Sequence, residues 1–375
     1  MNHNHINAIL IYQNNPFENG QGGGNAYVRN LFTELGKIKE INLFYWGANY
    51  HNKNNFTNLT NSNNFFIFWA SVLIKIIRSK FDVPTVLHFH RLYFAATAIL
   101  IIKVLRKKNV KVVSTVHGET FHNFRVNMPK YISYILLPIL FYIEKRSFML
   151  INNYAFVSNR NKEFFMTRHK SINKCIEKAG VFSSMVNFPI ILHAEERNYF
   201  VMIGRLSEVK DHLFMFSAIA EYQEKLRKNN FSLKIFGDGE LKSFLKNYIN
   251  ENQLEDLILL CGEIDNTMVP EVLKNAKGLL LTSKNEAAPT VIIEAIACGV
   301  PVLSCDVGFA REVLDNTSLG KVLPKNKKIF INEIMAINKI IFNQKEQENV
   351  LIDRHPTTVS KRYYKELYTK SNYVI

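Results

Sequence analysis

The most informative segment of the chain reads Lys284-Asn285-Glu286-Ala287-Ala288-Pro289-Thr290-Val291-Ile292-Ile293-Glu294-Ala295, followed by Cys298-Gly299-Val300-Pro301-Val302. It comes after the short apolar run Gly278–Leu281, which predicts a buried strand, and it opens a helix predicted over Thr290–Ala297. Pro289 is suited to the first turn of that helix. Another apolar run, Val302–Cys305, predicts the next strand. Strand, loop, helix and strand in this order predict a parallel sheet with helices on its faces.

The same rhythm extends in both directions from this block. Apolar runs without polar alternation, spaced by helical patterns, are typical of parallel sheets covered on both faces. The remaining predicted strands are Ile6–Tyr12, Ile41–Trp46, Thr85–Phe89, Lys111–Val116, Tyr154–Val157, Tyr199–Ile203, Leu233–Phe236 and Leu257–Cys261. The remaining predicted helices are Ala26–Ile38, Tyr93–Lys107, Tyr131–Phe148, His212–Lys228, Leu241–Asn250 and Val269–Asn275.

The chain length of 375 residues exceeds what one hydrophobic core usually supports, so two domains are expected. The strand and helix pattern lapses over Phe182–Asn198, which places one domain at residues 1–185 and a second at residues 186–355. An asparagine-rich run, Asn49–Asn64, is expected to be a surface loop.

The net charge of +15 comes almost entirely from one half of the chain. Residues 1–195 hold 23 Lys and Arg against 9 Asp and Glu, whereas residues 196–375 hold 24 against 23. A basic half indicates an anionic partner, such as an acidic lipid, a lipid-linked phosphate or a nucleic acid. A contribution to solubility alone is the alternative. Because no nucleic-acid-binding motif is evident, we do not expect a nucleic-acid partner.

The cysteines and the apolar stretches bear on the compartment. The four cysteines lack metal-ligand spacing, which favours buried thiols in a reducing compartment and no metal site. The N-terminus lacks the pattern of a secretory signal, and the most apolar stretch, Tyr131–Ile143, is too short to span a bilayer. Cations flank the apolar and aromatic residues of Lys130–Arg146, which suits an interfacial helix, with a buried core helix as the alternative. We expect a cytoplasmic protein that contacts the inner face of the cytoplasmic membrane.

The block around Glu286 has the features of an anion site. Unpaired amides at the start of its helix, from Thr290, Val291 and Ile292, would face a bound phosphate. Glu286 precedes these donors and Glu294 follows them by one turn. Carboxylates on both sides of an anion site suit a ligand with hydroxyls flanking a diphosphate, namely a nucleotide sugar. An ordinary helix start with one solvated glutamate is the alternative.

A second constellation, Gly204-Arg205-Leu206-Ser207-Glu208-Val209-Lys210-Asp211, directly follows a predicted strand. Glycine lets the backbone approach a ligand closely. Arg205 and Lys210 supply positive charges that could stabilise a diphosphate leaving group. Two surface cations near a helix start are the alternative.

These two constellations resemble the signature of the large retaining GT-B glycosyltransferase family 4, the glycosyl transferases group 1, of the kind that builds bacterial surface polysaccharides. The resemblance rests on Glu-x7-Glu followed by Glu-Ala-x-Ala-x-Gly-x-Pro-Val, and on Gly-Arg-Leu-x-x-x-Lys. It implies a GT-B fold of two facing Rossmann-like domains, with the acceptor site in the first and the donor site in the second. It further implies that residues 356–375 form a helix, around Ser360–Thr369, that packs back on the first domain.

The same resemblance implies roles for individual residues. Glu286 would contact the donor sugar and Glu294 the nucleotide ribose, while Arg205 and Lys210 would stabilise the diphosphate. Ala288 stands where the family often has an aromatic residue, so the choice of sugar is expected to differ from that of relatives. The remaining donor-binding candidates are Gly23, Gly24, Gly204, Gly237, Gly239, Pro289, Thr290 and Val291.

His117 comes at the end of the predicted strand Lys111–Val116 and precedes a glycine. At this position the family has a histidine that contacts the donor sugar. A structural histidine is the alternative. His88 and His90 end the preceding strand and are expected to line the cleft. The Gly23-Gly24 pair matches a family position that lets the acceptor domain approach the donor phosphates. Gly237 and Gly239 resemble the turn near the nucleotide base, and an ordinary strand–turn–helix connection is equally compatible with them.

By resemblance, then, the protein would transfer a hexose or N-acetylhexosamine from a nucleotide diphosphate sugar, expected to be a UDP-sugar, to a lipid-linked glycan acceptor such as an O-antigen or capsule intermediate. The anomeric configuration would be retained. No cofactor and no metal ion are expected. The alternatives are a nucleotide-sugar-binding pseudoenzyme, an epimerase of related fold and a basic nucleic-acid-binding protein.

Overall fold

Two parallel β-sheets, one in each of two units, organise the chain in the computed structural model. The structure describes residues 5–17, 23–49, 55–118, 130–151, 153–186 and 197–369. Unit 1 consists of residues 1–20, 24–185 and 356–375, and unit 2 consists of residues 21–23 and 186–355. All the strand pairs are parallel, as the apolar runs predicted.

The sheet of unit 1 has seven strands in the order β3-β2-β1-β4-β5-β6-β7. Its strands are β1 (Ile6–Ile11), β2 (Ile41–Ala48), β3 (Phe56–Thr60), β4 (Thr85–Phe89), β5 (Val110–Val116), β6 (Tyr154–Phe156) and β7 (Gly180–Val181). The central strands β4 and β5 are buried along their whole length, because helices cover both faces of the sheet. The strand order reverses between β1 and β4, and such a reversal opens a crevice at the carboxyl ends of the strands.

The helices of unit 1 follow its strands in the expected alternation. They are α1 (Gly23–Leu35), α2 (Phe65–Arg78), α3 (Leu92–Val104), α4 (Lys130–Leu150), α5 (Asn159–Arg168) and α6 (Asn173–Glu177). Asn64 caps α2 by accepting from the amides of Phe66 and Ile67, and Ser158 caps α5. Helix α4 buries Glu144 and Phe148 and leaves Tyr142 exposed. One face of the helix is therefore buried and the other is exposed, although both faces carry apolar residues.

The sheet of unit 2 has six strands in the order β10-β9-β8-β11-β12-β13. They are β8 (Tyr199–Ile203), β9 (Leu233–Phe236), β10 (Ile258–Gly262), β11 (Ala276–Leu281), β12 (Val302–Cys305) and β13 (Gly320–Leu323). The helices are α7 (His212–Glu221), α8 (Gln223–Lys228), α9 (Lys242–Glu251), α10 (Val269–Lys274), α11 (Thr290–Ala297), α12 (Ala310–Leu314), α13 (Lys327–Met335) and α14 (Gln344–Arg354). Here the order reverses between β8 and β11.

The C-terminal segment contacts unit 1 through two consecutive helical elements. Helix α15 (Pro356–Arg362) passes into a π-helix over Tyr363–Tyr368. The Tyr363 and Tyr368 rings are fully buried, and the Thr357 hydroxyl donates to Glu34 at 2.7 Å. The segment is therefore part of the core of unit 1.

The asparagine-rich run was wrongly predicted to be entirely a loop, since β3 lies within it. The edge strand β3 is only partly buried, and its Asn and Thr side chains give little of the apolar pattern that marks a strand. The elements that were not predicted are helices α2, α5, α6, α12, α13 and α14 and strands β7 and β13. Helix α2 is apolar on both faces and thus lacks the stripe that identifies an amphipathic helix.

Two other boundaries differ from those expected. The helix predicted over His212–Lys228 is two helices, because the backbone leaves the helical range at Tyr222. Residues 187–196, which hold most of the expected boundary at Phe182–Asn198, lie outside the described residues.

Candidate functional site

The two constellations found in the sequence come together where the strand order of unit 2 reverses. Gly204 directly follows β8, and Thr282 directly follows the neighbouring strand β11. The loops from these strands therefore leave the same edge of the sheet side by side.

An ion pair joins the two loops. Lys210 Nζ donates to Glu286 Oε1 at 2.6 Å, and Ser283 Oγ donates to the same oxygen at 2.8 Å. The Lys210 and Glu286 side chains are 22% and 14% exposed, so the pair is largely but not wholly withdrawn from solvent. The structure thus brings together two predicted site residues that lie 76 positions apart in the sequence.

Buried hydroxyl and backbone contacts hold the loops in this arrangement. The Thr282 hydroxyl donates to the carbonyls of Lys210 and Asp211, at 3.2 and 3.0 Å. The Lys284 amide donates to the Val209 carbonyl at 2.7 Å. Asp211 has a left-handed backbone, with φ of 49°, and its carboxylate pairs with Lys325. These bonds position Lys210 without using its ammonium group, which stays available to Glu286 or to a ligand.

Glu294 lies one turn into α11 and is partly buried. Burial raises the pKa of its carboxyl group to about 7, while the Thr290 hydroxyl and the charge of Lys210 act in the opposite direction. Glu286 and Glu294 therefore share one cation, with Lys210 bonded directly to Glu286 and acting on Glu294 electrostatically.

The start of α11 differs in two details from the prediction. Pro289 is the N-cap residue, with φ of −70° and ψ of 93°, rather than a residue of the first turn. The Ile292 amide donates to the Pro289 carbonyl at 3.1 Å, so it is not an open donor. In the part of the chain that the structure describes, the amides of Thr290 and Val291 have no hydrogen-bond acceptor. Two of the three predicted amides therefore remain available to an anion.

The glycines of the site allow the backbone to approach closely. A Cβ on Gly237 would lie 2.0 Å from the Gly204 carbonyl oxygen, and one on Gly239 would lie 2.5 Å from the Leu206 carbonyl oxygen. Gly204 has φ of 147°, and its lack of a side chain leaves room for the side chain of Lys210. A Cβ on Gly204 would lie 3.1 Å from Lys210 Cε. The loops after β8 and β9 are also joined by the Leu206 amide, which donates to the Asp238 carbonyl at 2.9 Å.

The Arg205 guanidinium does not join Lys210 and Glu286. It pairs with Glu240 at 3.2 Å, and both side chains are more than half exposed. An exposed pair of this kind is weak, so the guanidinium can exchange Glu240 for another anion at little cost.

Unit 1 has a separate pocket of about 220 Å³ at the carboxyl ends of its central strands. It is lined by Tyr12, Gly24, His90, Arg91, Leu92, Thr115, Val116, His117 and Gly118. His117 Nε2 lies 2.9 Å from His90 Nδ1, so one of these nitrogens carries the shared proton and the other accepts it. Burial lowers the pKa of His117 to about 4 and that of His90 well below its usual range, which keeps both rings neutral near pH 7.

His88 was wrongly expected to line the cleft. It is fully buried, and its ring nitrogens lie 2.7 Å from the hydroxyls of Tyr368 and Thr115. Tyr363 extends the network to Thr115 at 2.7 Å and to Tyr27 at 2.8 Å. His90 does line the pocket, as expected, and among the described residues its Nε2 has no hydrogen-bond partner.

The two predicted glycines near the N-terminus have different surroundings. Gly24 lines the pocket of unit 1, and a Cβ there would lie 3.3 Å from the Tyr12 hydroxyl. Gly23 begins α1, but its contacts group it with unit 2. A Cβ on Gly23 would lie 3.2 Å from the methyl carbon of Thr290. Residues 20–22 of the predicted phosphate cradle, and Glu119 after His117, lie outside the described residues.

Sequence reasoning missed Thr282, Ser283 and the pairing of His90 with His117. Each of these residues directly follows the apolar run of a central strand or lies next to one that does. Position at the carboxyl end of a parallel strand was therefore the available signal. Residue type gave no signal, because serine and threonine are common in any loop.

The geometry of unit 2 suits an anion with hydroxyl groups beside it. A lysine, two amides and an exposed arginine can bind phosphate oxygens, and the two carboxyl groups can accept hydrogen bonds from hydroxyls. Among the described residues, no group of three His, Cys, Asp or Glu side chains is placed to hold a metal ion.

Comparison with known sequences agrees with this arrangement. Residues 186–352, which contain Lys210, Glu286 and Glu294, match the sequence model of the family described as Glycosyl transferases group 1. Residues 186–352 thus carry the sequence pattern of the group 1 glycosyltransferases. The family resemblance predicted from the two glutamates is thereby confirmed.

Relatives of this chain carry related names. An uncharacterized glycosyltransferase of Methanocaldococcus jannaschii is 27% identical over 257 residues, which cover 64% of this chain and 60% of the relative. The UDP-Gal:alpha-D-GlcNAc-diphosphoundecaprenol alpha-1,3-galactosyltransferase of Escherichia coli is 31% identical over 150 residues, which cover 38% of this chain and 37% of the relative. The matches thus span less than two thirds of the length of these relatives.

A solved structure confirms the predicted GT-B fold. The apo form of the lipopolysaccharide outer core galactosyltransferase WaaB superposes with a TM-score of 0.71. The superposition covers 98% of this chain and all of that one, at 17% sequence identity.

Proposed function

We propose that this group 1 glycosyltransferase transfers a hexose or N-acetylhexosamine from a nucleotide diphosphate sugar, preferentially a UDP-sugar, to a lipid-linked glycan. The Lys210–Glu286 pair at the reversal of strand order in unit 2, beside the open amides of α11, carries this proposal. The Escherichia coli relative adds support, because its name specifies a UDP-galactose donor and a diphosphoundecaprenol-linked acceptor.

In the proposed reaction, the bond between the anomeric carbon and the β-phosphate oxygen breaks while the acceptor oxygen bonds to that carbon on the same face. The departing phosphate oxygen takes the acceptor proton, and the anomeric configuration is retained. Lys210, Arg205 and the amides of Thr290 and Val291 stabilise the charge that develops on the diphosphate. Glu286 holds sugar hydroxyls, Glu294 holds the ribose, and neutral His117 donates to or accepts from a sugar hydroxyl.

Gly204, Gly237 and Gly239 contribute by keeping the loops close enough for the diphosphate to reach the backbone. Gly23 and Gly24 are proposed to keep side chains away from the donor phosphates, and Pro289 to orient the open amides. No metal ion is required in this scheme, because side chains and amides supply the positive charge. We further propose that the enzyme works in the cytoplasm, at the inner face of the membrane that holds a lipid-linked acceptor.

The first test is a thermal-shift panel of UDP-, GDP- and ADP-sugars with the purified protein, followed by turnover with lipid-linked acceptors in the presence and absence of a chelator. UDP-sugars should raise the melting temperature most, and chelation should leave turnover unchanged. Absence of a shift with every nucleotide sugar would contradict the proposal. A shift without turnover on any acceptor would identify a binding protein rather than an enzyme.

Variants of the ion pair test the roles of its residues. We expect Lys210→Ala and Glu286→Gln to lower kcat by about 10²-fold or more, since both contact the part of the donor where charge develops. Lys274→Ala is a matched control, because Lys274 forms a 2.6 Å pair with Glu271 in α10, just before the opposite end of β11. Wild-type turnover in either site variant would show that the pair is structural.

A further inference from the structure

Helix α2 of unit 1 is apolar on the face that it presents to solvent. Phe68, Val72 and Ile76 point into the core, as expected for one face of a surface helix. The opposite face carries Phe66, Ile67, Ile74 and Ile77, which are between 47 and 62% exposed. A helix that is hydrophobic all round normally lies in a protein core or against lipid.

Helix α3 continues this apolar surface beside α2. The two helices are in direct contact, since Trp69 Nε1 donates to Thr97 Oγ1 at 3.1 Å and the rings of Phe65 and Phe94 stack. On α3, Leu100 and Val104 are 48 and 79% exposed. We call these six exposed side chains the α2–α3 face: Phe66, Ile67, Ile74, Ile77, Leu100 and Val104. Contiguous exposed apolar residues of this extent mark an interaction surface.

Cations gather at one end of the α2–α3 face. Helices α2 and α3 each lead into a parallel strand, so their C-terminal ends lie at the same edge of the sheet. Lys107 of the segment after α3 joins these ends, because its ammonium group donates to the carbonyls of Ile77 and Ser79. Residues 65–110 contain eight Lys and Arg and a single acidic residue, Asp82. The cations at or beyond the helix ends are Lys75, Arg78, Lys80, Lys103, Arg106, Lys107 and Lys108.

Charge decides which partner fits this surface. An apolar face bordered by cations, with one carboxylate nearby, complements a layer whose surface is anionic and whose interior is apolar. The same face of a second copy would offer these cations only one carboxylate from residues 65–110, that of Asp82. Among the described residues, no helix is long and apolar enough to cross a membrane.

We propose that the α2–α3 face docks onto an anionic lipid bilayer, with the six apolar side chains below the headgroups and the basic helix ends against them. Helix α4, which packs against α3, extends the surface with Ile139 and Tyr142, which are 51 and 60% exposed. Tyrosine is favoured at the boundary between headgroups and acyl chains. This docking site extends the proposed function by placing unit 1 at the surface where a lipid-linked acceptor lies.

Co-sedimentation with lipid vesicles tests the proposal without donor or acceptor, so its outcome is independent of turnover. The wild-type protein should bind vesicles of equal parts phosphatidylglycerol and phosphatidylcholine at least about tenfold more strongly than vesicles of phosphatidylcholine alone. Raising the salt concentration should weaken this binding. Equal binding to the two kinds of vesicle, or none to either, would overturn the proposal.

Matched variants locate the surface. We expect Ile67→Gln with Ile74→Gln to weaken vesicle binding at least about tenfold, because two exposed side chains no longer enter the bilayer. Arg78→Gln with Lys103→Gln and Lys108→Gln should remove most of the preference for anionic vesicles. The controls are Ile329→Gln with Ile352→Gln, exposed helical residues of unit 2, and Lys246→Gln with Lys328→Gln and Lys345→Gln.

Three results would overturn the assignment. One is wild-type binding by the Ile67→Gln, Ile74→Gln variant, and another is equal loss in the unit 2 controls. The third is a concentration-dependent dimer of the wild-type protein, seen by light scattering, that the Ile67→Gln, Ile74→Gln variant does not form. That third result would identify the α2–α3 face as a protein interface. Circular dichroism of each variant checks that its fold is intact.

Discussion

Glu294 has a carboxyl group whose burial should make the stability of unit 2 depend on pH. Its pKa is raised to about 7 in the folded protein, whereas the pKa of a glutamate carboxyl group in an unfolded chain is near 4.5. Between these values the folded state holds a proton that the unfolded state has released, so the free energy of unfolding falls as pH rises. The same ionisation should favour a nucleotide whose ribose hydroxyls donate to the carboxylate.

The corresponding prediction concerns Glu294→Gln. Relative to this variant, the wild-type protein should lose up to about 3 kcal/mol of unfolding free energy between pH 4.5 and pH 7. Urea unfolding of both proteins at several pH values measures the difference. Glu348→Gln, on the exposed side of α14, serves as control and should follow the wild type. Parallel pH curves for wild type and Glu294→Gln would contradict the raised pKa.

At the scale of elements, the strand ends of unit 2 are joined through glycines at which a side chain does not fit. Gly237 has φ of 150°, and a Cβ there would meet the backbone oxygen of Gly204 rather than a movable side chain. Relief of this contact requires β8 and β9 to separate at their carboxyl ends, where Gly204 and Lys210 are positioned.

We therefore expect Gly237→Ala to destabilise unit 2 by about 2–4 kcal/mol and to weaken nucleotide-sugar binding. Chemical unfolding and thermal shift with a UDP-sugar measure the two effects. Gly36→Ala is the matched control, because a Cβ there would make only ordinary contacts, the nearest at 3.4 Å. Wild-type stability in the Gly237→Ala variant would show that the strand ends can separate freely.

The elements also show where local patterns succeed and fail. Strands such as Thr85–Phe89 and Tyr199–Ile203 were predicted to the residue, because a parallel strand covered on both faces is largely apolar along its length. The β3–α2 region was not predicted, since its strand is polar and its helix is apolar on the exposed face. The features that hid α2 from prediction are those that make it a candidate lipid-binding surface.

At the scale of the whole molecule, a buried histidine cluster in unit 1 should make the protein sensitive to acid. Burial lowers the pKa of His88 to about 3 and that of His117 to about 4, with His90 also well below its usual range. Unfolded histidines bind protons near pH 6.5, so stability is lost as pH falls from about 6.5 towards 4. Each histidine adds a slope of up to about 1.4 kcal/mol per pH unit.

Both tryptophans, Trp46 and Trp69, lie in unit 1, so their fluorescence reports its unfolding. The measurement is urea unfolding by tryptophan emission between pH 4.5 and pH 7. The His88→Gln variant should show a shallower dependence on pH than the wild-type protein, whereas His355→Gln, an exposed residue of unit 2, should not. A wild-type unfolding free energy that is constant over this range would contradict the prediction.

The order of residues within short segments was enough to predict the parallel sheets, the resemblance to the group 1 glycosyltransferases and the loops in which the site residues lie. Each of these follows from the spacing of residues within a short segment, where apolar runs, glycines and helix starts act through the adjacent backbone. The partnerships within the sites could not be predicted in this way. Lys210 meets Glu286 across 76 positions, and His88 meets Tyr368 across 280. Such contacts depend on which strands become neighbours in a sheet, and only the packing of the complete chain decides that.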